Sequence, residues 1–357
     1  MKVGIVGLPN AGKSTLFNAL TRAGAQTGEY PFTTVEPNIA LASVPDERLD
    51  RLAGMLGSSE TIRESIEFDD IAGLVRGASE GEGLGNQFLA AIRETDAICH
   101  VVRCHEDTRV PHPDGQVDPI ADAETVETEL LLADLEQAER RLGRVTKQAR
   151  SGDKEAIAER DWLTEVRDAL AAGRPARSVA VPDAAAEGPR KLAALTSKPV
   201  LYVANVGEEK LAVPEQLAAH AAELGASAVA ISARLEGELT ELDPSDAEEM
   251  RAQLGSQESG LDAIVRAAYE LLELITFFTA DRAKEATARS LRRGSTAVQA
   301  AGKVHTDFER DFIKAEVIAW DRLIEAGGYV EAQARGLLRV EGRDYVILDG
   351  EVVNIKT

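Results

Sequence analysis

The chain has 357 residues, too many for one ordinary hydrophobic core, and its 44% hydrophobic and 4% aromatic content implies two or three domains with cores of Leu, Val, Ile and Ala. Forty basic against 61 acidic residues leave a formal charge of −21, which excludes non-specific DNA or RNA binding by the whole surface and confines any RNA contact to a local patch. Neither a signal-peptide pattern nor an apolar run of membrane-spanning length is present, so a cytoplasmic protein without a membrane partner is expected.

The first predicted strand is Val3–Val6. Directly after it comes Gly7-Leu-Pro-Asn-Ala-Gly12-Lys13-Ser14, and directly after that a predicted helix, Thr15–Thr21. This is the P-loop pattern in its proper context. Glycines let backbone N–H groups turn inward around phosphates, and the helix N-terminus adds a favourable dipole. Lys13 neutralises the β/γ oxygens, as a binding and catalytic group, and Ser14 offers a hydroxyl to Mg²⁺. The candidate phosphate contacts are therefore Asn10, Ala11, Gly12, Lys13, Ser14 and Thr15.

Thr33 and Thr34 follow in the stretch Tyr30–Pro37, where one of them can complete the Mg²⁺ shell when a γ-phosphate is present. A strand over Ile66–Asp70 then ends in Asp70-Ile-Ala-Gly73. Its Asp70 can hold Mg²⁺ through water, and the Gly73 N–H can bond the γ-phosphate. The next residue, Leu74, stands where Ras-like switches carry the Gln that orients the attacking water, so another group must do that work. Beyond the strand Ala97–Cys104, whose Cys99 and Cys104 read as reduced, partly buried thiols, the Pro/Gly-rich loop Arg109–Gly115 carries His112. That loop can bring the histidine toward a γ-phosphate.

From about Asp122 the pattern becomes helical. Leu131, Leu135, Ala138, Leu142, Val145 and Ala149 form a coiled-coil seam, Ser151-Gly152-Asp153 breaks it, and Ala156, Leu163, Val166 and Leu170 mark a second helix. The pair reads as an antiparallel hairpin, either a spacer or a partner-binding arm. An Ala-rich stretch over Val181–Gly188 reads as loop. Strands resume at Pro199–Ala204 and Ala228–Ile231, a helix is expected over Leu261–Leu274, and Thr276–Thr357 has the short strands and Gly turns of an α+β domain. The expected plan is an α/β P-loop domain (1–122 and 196–275), an inserted helical hairpin (123–195) and a C-terminal α+β domain (276–357).

Base selectivity is read after the strand Pro199–Ala204. Guanine-specific relatives of the P-loop class place Asn-Lys-x-Asp there, whereas this chain has Asn205-Val206-Gly207-Glu208. Glu moves the carboxylate out by about 1.5 Å, one bond length, and Val206 removes the lysine stem that covers the base. Guanine is therefore disfavoured. Asn205 can serve adenine's amine and ring nitrogen, with Ser232, Ala233 and Arg234 as the second loop around the base.

These runs, together with Gly77-Ala-Ser-Glu-Gly-Glu-Gly-Leu-Gly85-Asn-Gln-Phe88 and Tyr30–Asn38, resemble the YchF family of Obg-like ATPases in the TRAFAC class, over essentially the whole chain. Ala300–Arg310 looks like the family's TGS domain, a β-grasp module. The resemblance implies ATP as ligand, Mg²⁺ held by Ser14 and Thr34, and a main-chain adenine contact at Val206. It further implies a catalytic His112 and a ribosome or ribosomal subunit as partner. Asn10 stands where some relatives with Leu in place of Gln bind K⁺, and it can equally cap the loop's own backbone. Two other readings stay open, an Obg-type GTPase and a nucleotide-regulated RNA-binding protein with incidental turnover. The latter would have its basic patch at Arg289, Arg292, Arg293 and Lys303.

Overall fold

The computed structural model describes residues 1–26, 38–71, 84–254, 258–280 and 285–357. In chain order the elements begin β1 (Lys2–Val6), α1 (Lys13–Gln26), β2 (Ile39–Ser43), α2 (Glu47–Leu56), β3 (Glu60–Ile62), β4 (Ser65–Asp70), α3 (Leu84–Arg93) and β5 (Ala97–Arg103). They continue with α4 (Pro119–Ala149), α5 (Lys154–Ala171), α6 (Gly188–Leu192), β6 (Val200–Asn205), α7 (Glu215–Glu223), β7 (Ser227–Ile231), α8 (Ala233–Leu239), α9 (Pro244–Gln253) and α10 (Gly260–Leu271). The last are β8 (Leu274–Ala280), β9 (Glu285–Arg292), α11 (Ala297–Val304), α12 (Thr306–Arg310), β10 (Lys314–Ala319), α13 (Trp320–Ala326), α14 (Tyr329–Ala334), β11 (Arg339–Glu341) and β12 (Glu351–Lys356). Among the described residues no helix is long and apolar enough to cross a membrane. Two compact units result, one from residues of 1–22, 35–40 and 67–264, the other from residues of 23–34, 41–66 and 265–357.

The first unit is built on a sheet of order β2-β4-β1-β5-β6-β7, in which β4, β1, β5, β6 and β7 run parallel. Both faces of a parallel sheet are covered by helices, so its strands read as continuous apolar runs. β5 and β6 are buried at every residue. After β1 the chain crosses toward β4, and after β5 toward β6. The C-terminal ends of β1 and β5 therefore flank a topological switch point, the place where open α/β sheets bind ligands.

Asp118 caps α4 by accepting from the Ile120 and Ala121 N–H groups, and Pro119 supplies a pre-set first turn. Ala123, Val126, Leu130 and Ala133 of α4 lie in the core beside the sheet. Ala138, Val145 and Ala149 instead pack with Trp162, Leu163, Val166 and Leu170 of α5. One helix thus serves both the sheet and the hairpin, and the expected boundary at 122/123 falls inside it. Gly152, at φ 84°, makes the reversal, and Asp153 caps α5. Asp134, fully buried on α4, accepts from Leu195 N at 2.8 Å and from Thr196 N and Oγ1 at 2.7 Å, which pins the returning chain. No local pattern announces that anchor, since its partners are 61 and 62 residues away.

The second unit has a mixed sheet of order β11-β10-β12-β8-β9-β3. β8 and β9 pair antiparallel, β12 joins β8 in parallel, and β3 joins β9 in parallel. Along β8, Ile275 and Phe277 face a core with Ala297, Ala300 and Ala301 of α11, while Phe278 faces one with Leu49, Leu52 and Ala53 of α2. Arg48 reinforces this second face, reaching Asp46 and Asp349. Two expectations change here. Residues 41–66, assigned from sequence to the nucleotide domain, group with the C-terminal residues, because the apolar face of α2 is buried under β8 and β9. The helix expected to reach Leu274 stops at Leu271. Glu273 adopts φ 53°, which no helix continues, and Leu274 opens a strand.

Candidate functional site

The P-loop leaves β1 and enters α1, which begins at Lys13, two residues earlier than expected. Only glycine fits at two of its positions. Gly7 has φ 151° and a Cβ there would lie 2.3 Å from the Val101 carbonyl. Gly12 has φ 103° and a Cβ there would lie 2.2 Å from Asn205 Nδ2. Lys13 is buried, and its Nζ donates to Gly7 O at 3.0 Å and Leu8 O at 2.8 Å. Burial pulls its pKa down, opposed by the charge of Asp70 at the end of β4. A cation held over the loop by neutral carbonyls keeps a donor direction for an anionic ligand. Ser14 and Thr15, in the first turn of α1, are exposed. Thr33, Thr34, Gly73 and Leu74 lie outside the described residues.

Asn205 has a structural role beside its expected one. Its Nδ2 donates to Ala11 O at 2.9 Å and its Oδ1 accepts from Ala233 N at 3.1 Å, so both ends of the amide tie the P-loop to the start of α8. These bonds brace the site and leave one Nδ2 N–H and one Oδ1 lone pair of the amide unused by them. The Val206 N–H already donates to Ile231 O at 2.8 Å, which leaves the Val206 carbonyl as the group it can offer. Ser232 caps α8, its hydroxyl accepting from Leu235 N, and Ala233 is buried behind it. Glu208 is exposed, 3.8 Å from Arg234 Nε.

The loop after β5 comes to the same edge. Asn10, at φ 65°, donates from Nδ2 to Pro111 O at 3.0 Å and so joins the P-loop to the residue before His112. Arg103, at the buried end of β5, spreads its guanidinium over three carbonyls: His105 O at 3.1 Å, Val110 O at 3.0 Å and Asp107 O at 3.1 Å. His112 Nδ1 accepts from Asp114 N at 3.2 Å, which places the ring proton on Nε2, and Nε2 donates to Asp122 Oδ2 at 2.9 Å. Burial is the main influence on Asp122 and pushes its pKa up, with the His112 bond opposing.

His112, Asp114 and Asp122 bring three potential metal-ligand atoms within 4.8 Å of one another. The tautomer argues against a metal there. Ligation through Nε2 would move the proton to Nδ1, against the Asp114 N–H. Cys99 and Cys104 are pushed up to about 12 by burial, so neither is a ready thiolate nucleophile. Arg103, Asp122 and Asp134 escaped the sequence reading. The one available signal was an arginine closing an otherwise apolar strand.

The basic patch suggested from sequence is not a single surface. Alternation along β9 puts Arg289 and Arg292 on opposite faces, and Arg289 Nη1 donates to Lys303 O at 3.4 Å.

Residues 2–134 match a family model described as 50S ribosome-binding GTPase, and residues 274–357 match the YchF-GTPase_C model, described as a protein of unknown function. The Bacillus subtilis protein named ribosome-binding ATPase YchF is 45% identical over 100% of this chain and 99% of its own length. Its namesake in Escherichia coli O157:H7 is 46% identical over 99% of this chain and 98% of its own. The solved structure of the Schizosaccharomyces pombe YchF GTPase matches with a TM-score of 0.89 at 33% identity, covering 100% of this chain and 97% of that one. With such identity sustained from the P-loop through the hairpin to the last strand, this chain belongs to the YchF family.

Proposed function

We propose that the protein is a cytoplasmic, Mg²⁺-dependent ATPase that works as a nucleotide-controlled switch on the ribosome. The observation that carries this reading is the P-loop at the sheet's switch point, with Lys13 buried over the Gly7 and Leu8 carbonyls. In this role Lys13 meets the β- and γ-phosphates, and the N–H groups of Asn10 to Thr15 cradle them. Ser14 and Asp70 offer the hard oxygen donors that suit Mg²⁺, and Asp70 lies near enough to Lys13 for its charge to act on the ammonium. Thr34 and Gly73 complete the proposed contacts to metal and γ-phosphate. Bound there, Mg²⁺ supplies positive charge to the phosphate oxygens. Asn10 Oδ1 is the candidate K⁺ ligand, its Nδ2 being tied to Pro111.

Adenine is favoured by the Val206 carbonyl, an acceptor suited to adenine's exocyclic amine and repelled by the guanine O6. His112 is the group proposed to orient the attacking water. The ribosome enters through the names of the relatives, with the α4–α5 hairpin and the TGS-like C-terminal residues as the proposed contact elements.

A competition titration tests the base reading. ATP should displace a bound fluorescent nucleotide at a concentration at least about tenfold below that needed for GTP, about 1.4 kcal/mol of preference. Combining Val206→Lys with Glu208→Asp should narrow the gap. Equal or tighter GTP binding would remove the adenine reading. It would favour an Obg-type GTPase, the activity by which the fission-yeast relative is named.

A further inference from the structure

The loop that carries His112 is fixed on the N-terminal side of the histidine. Arg103 holds the Val110 carbonyl and Asn10 holds the Pro111 carbonyl, so these two backbone positions are tied to β5 and to the P-loop. The ring itself points into the protein. Its side chain is 5% exposed and the Asp122 side chain against it 7%. Both ring nitrogens have partners, Nδ1 the Asp114 N–H and Nε2 the Asp122 carboxylate. A neutral imidazole has one donor and one acceptor. With both engaged, neither nitrogen is left to bond a water molecule, and the burial keeps bulk water from the ring.

We infer that Asp122 is a positioning residue that latches His112, so that hydrolysis requires the His112 Nε2–Asp122 bond to open. The inference rests on the reading of His112 as the water-orienting group. Of the two bonds, the one to Asp122 is the stronger, at 2.9 Å to a carboxylate against 3.2 Å between a backbone N–H and a neutral nitrogen. With the two preceding carbonyls held, the motion left to the histidine is rotation of its own side chain, together with the backbone on its C-terminal side through the turn at Gly115, which sits at φ 82°. The latch is also placed to be worked from a distance. Asp122 lies in the first turn of α4, and the same helix continues into the hairpin. A small axial or rotational shift of α4 moves the carboxylate relative to a loop tied to β5 and the P-loop. A partner that engages the hairpin therefore has a mechanical route to the histidine.

The test uses full-length protein and single-turnover ATP hydrolysis, with KM measured on the same preparations, for wild type, Asp122→Ala, Asp122→Asn, His112→Ala and the double variant Asp122→Ala/His112→Ala. Breaking a charge-assisted bond is the barrier being removed. Asp122→Ala should therefore raise kcat about tenfold with KM changed by less than about twofold. Asp122→Asn keeps an acceptor but not the charge and should fall between wild type and Asp122→Ala. The double variant should be as slow as His112→Ala, because there is no histidine to release.

A kcat for Asp122→Ala equal to or below wild type overturns the latch while leaving His112's role intact. A His112→Ala rate equal to wild type overturns the role on which the latch rests, and it is read from that variant alone. If Asp122→Ala fails to fold, Asp122→Asn and nitrogen NMR of the wild-type imidazole decide. The latch requires the proton on Nε2, and a ring protonated on Nδ1 would contradict it.

Discussion

Lys13→Ala should lose ATP hydrolysis by at least about a hundredfold, the scale of removing one preorganised charge from a developing phosphate transition state. Lys13 is 7% exposed, and among the described residues no carboxylate forms an ion pair with it, so its charge is held in place chiefly by the Gly7 and Leu8 carbonyls. A γ-phosphate arriving at the N-terminus of α1 meets a cation already desolvated and oriented, and alanine removes that cation without offering a substitute. ATP affinity should fall as well, by about tenfold or 1.4 kcal/mol, because a charge-assisted contact is lost in the ground state too. Lys13→Ala also deletes two bonds that shape the P-loop, so thermal melting on the same sample separates lost chemistry from a lost fold. A folded variant with wild-type turnover would place catalysis outside this loop.

The second large effect concerns His112. Replacing it with alanine should leave ATP affinity nearly unchanged and lower kcat by at least about tenfold, roughly 1.4 kcal/mol of transition-state stabilisation. The split follows from where the contact is made. The histidine is proposed to bond a water that becomes reactive only in the complex, so its loss falls on the transition state and not on nucleotide binding. Single-turnover hydrolysis beside a binding titration reads both quantities. A matching fall in affinity, with kcat unchanged, would make His112 a brace for the P-loop through the neighbouring Pro111–Asn10 bond.

Much of the first unit was legible in the sequence because its strands are buried on both faces. Lys2–Val6, Ala97–Arg103 and Val200–Asn205 read as apolar runs, and the turns between them carry their own signals in glycine and proline. The seam of α4 was legible for the same reason: Ala138, Val145 and Ala149 recur at coiled-coil spacing and pack where that spacing sends them. Periodicity shows that a face is apolar but not what covers it. Leu49, Leu52 and Ala53 of α2 therefore gave no hint that they pack with Phe278 and Ala286, more than two hundred residues on.

In the site, the residues that belong to a motif were readable, and the ones that hold those residues were not. Arg103 and Asp122 are charged residues whose partners are fixed by the fold, a pattern that in sequence cannot be told from a solvated surface. Asn205 was found as a base contact, but its tie to the P-loop was not. Its place after β6 fits base reading, yet the close approach of Gly12, where no Cβ fits, brings the amide onto the P-loop backbone.

The central claim, that this site hydrolyses ATP under the control of the ribosome, is tested most directly by phosphate release from Mg-ATP with and without ribosomes, against the Lys13→Ala protein as background. Release above that background, rising when ribosomes are added, is the predicted result. Release no greater than that of Lys13→Ala in both conditions would contradict the account.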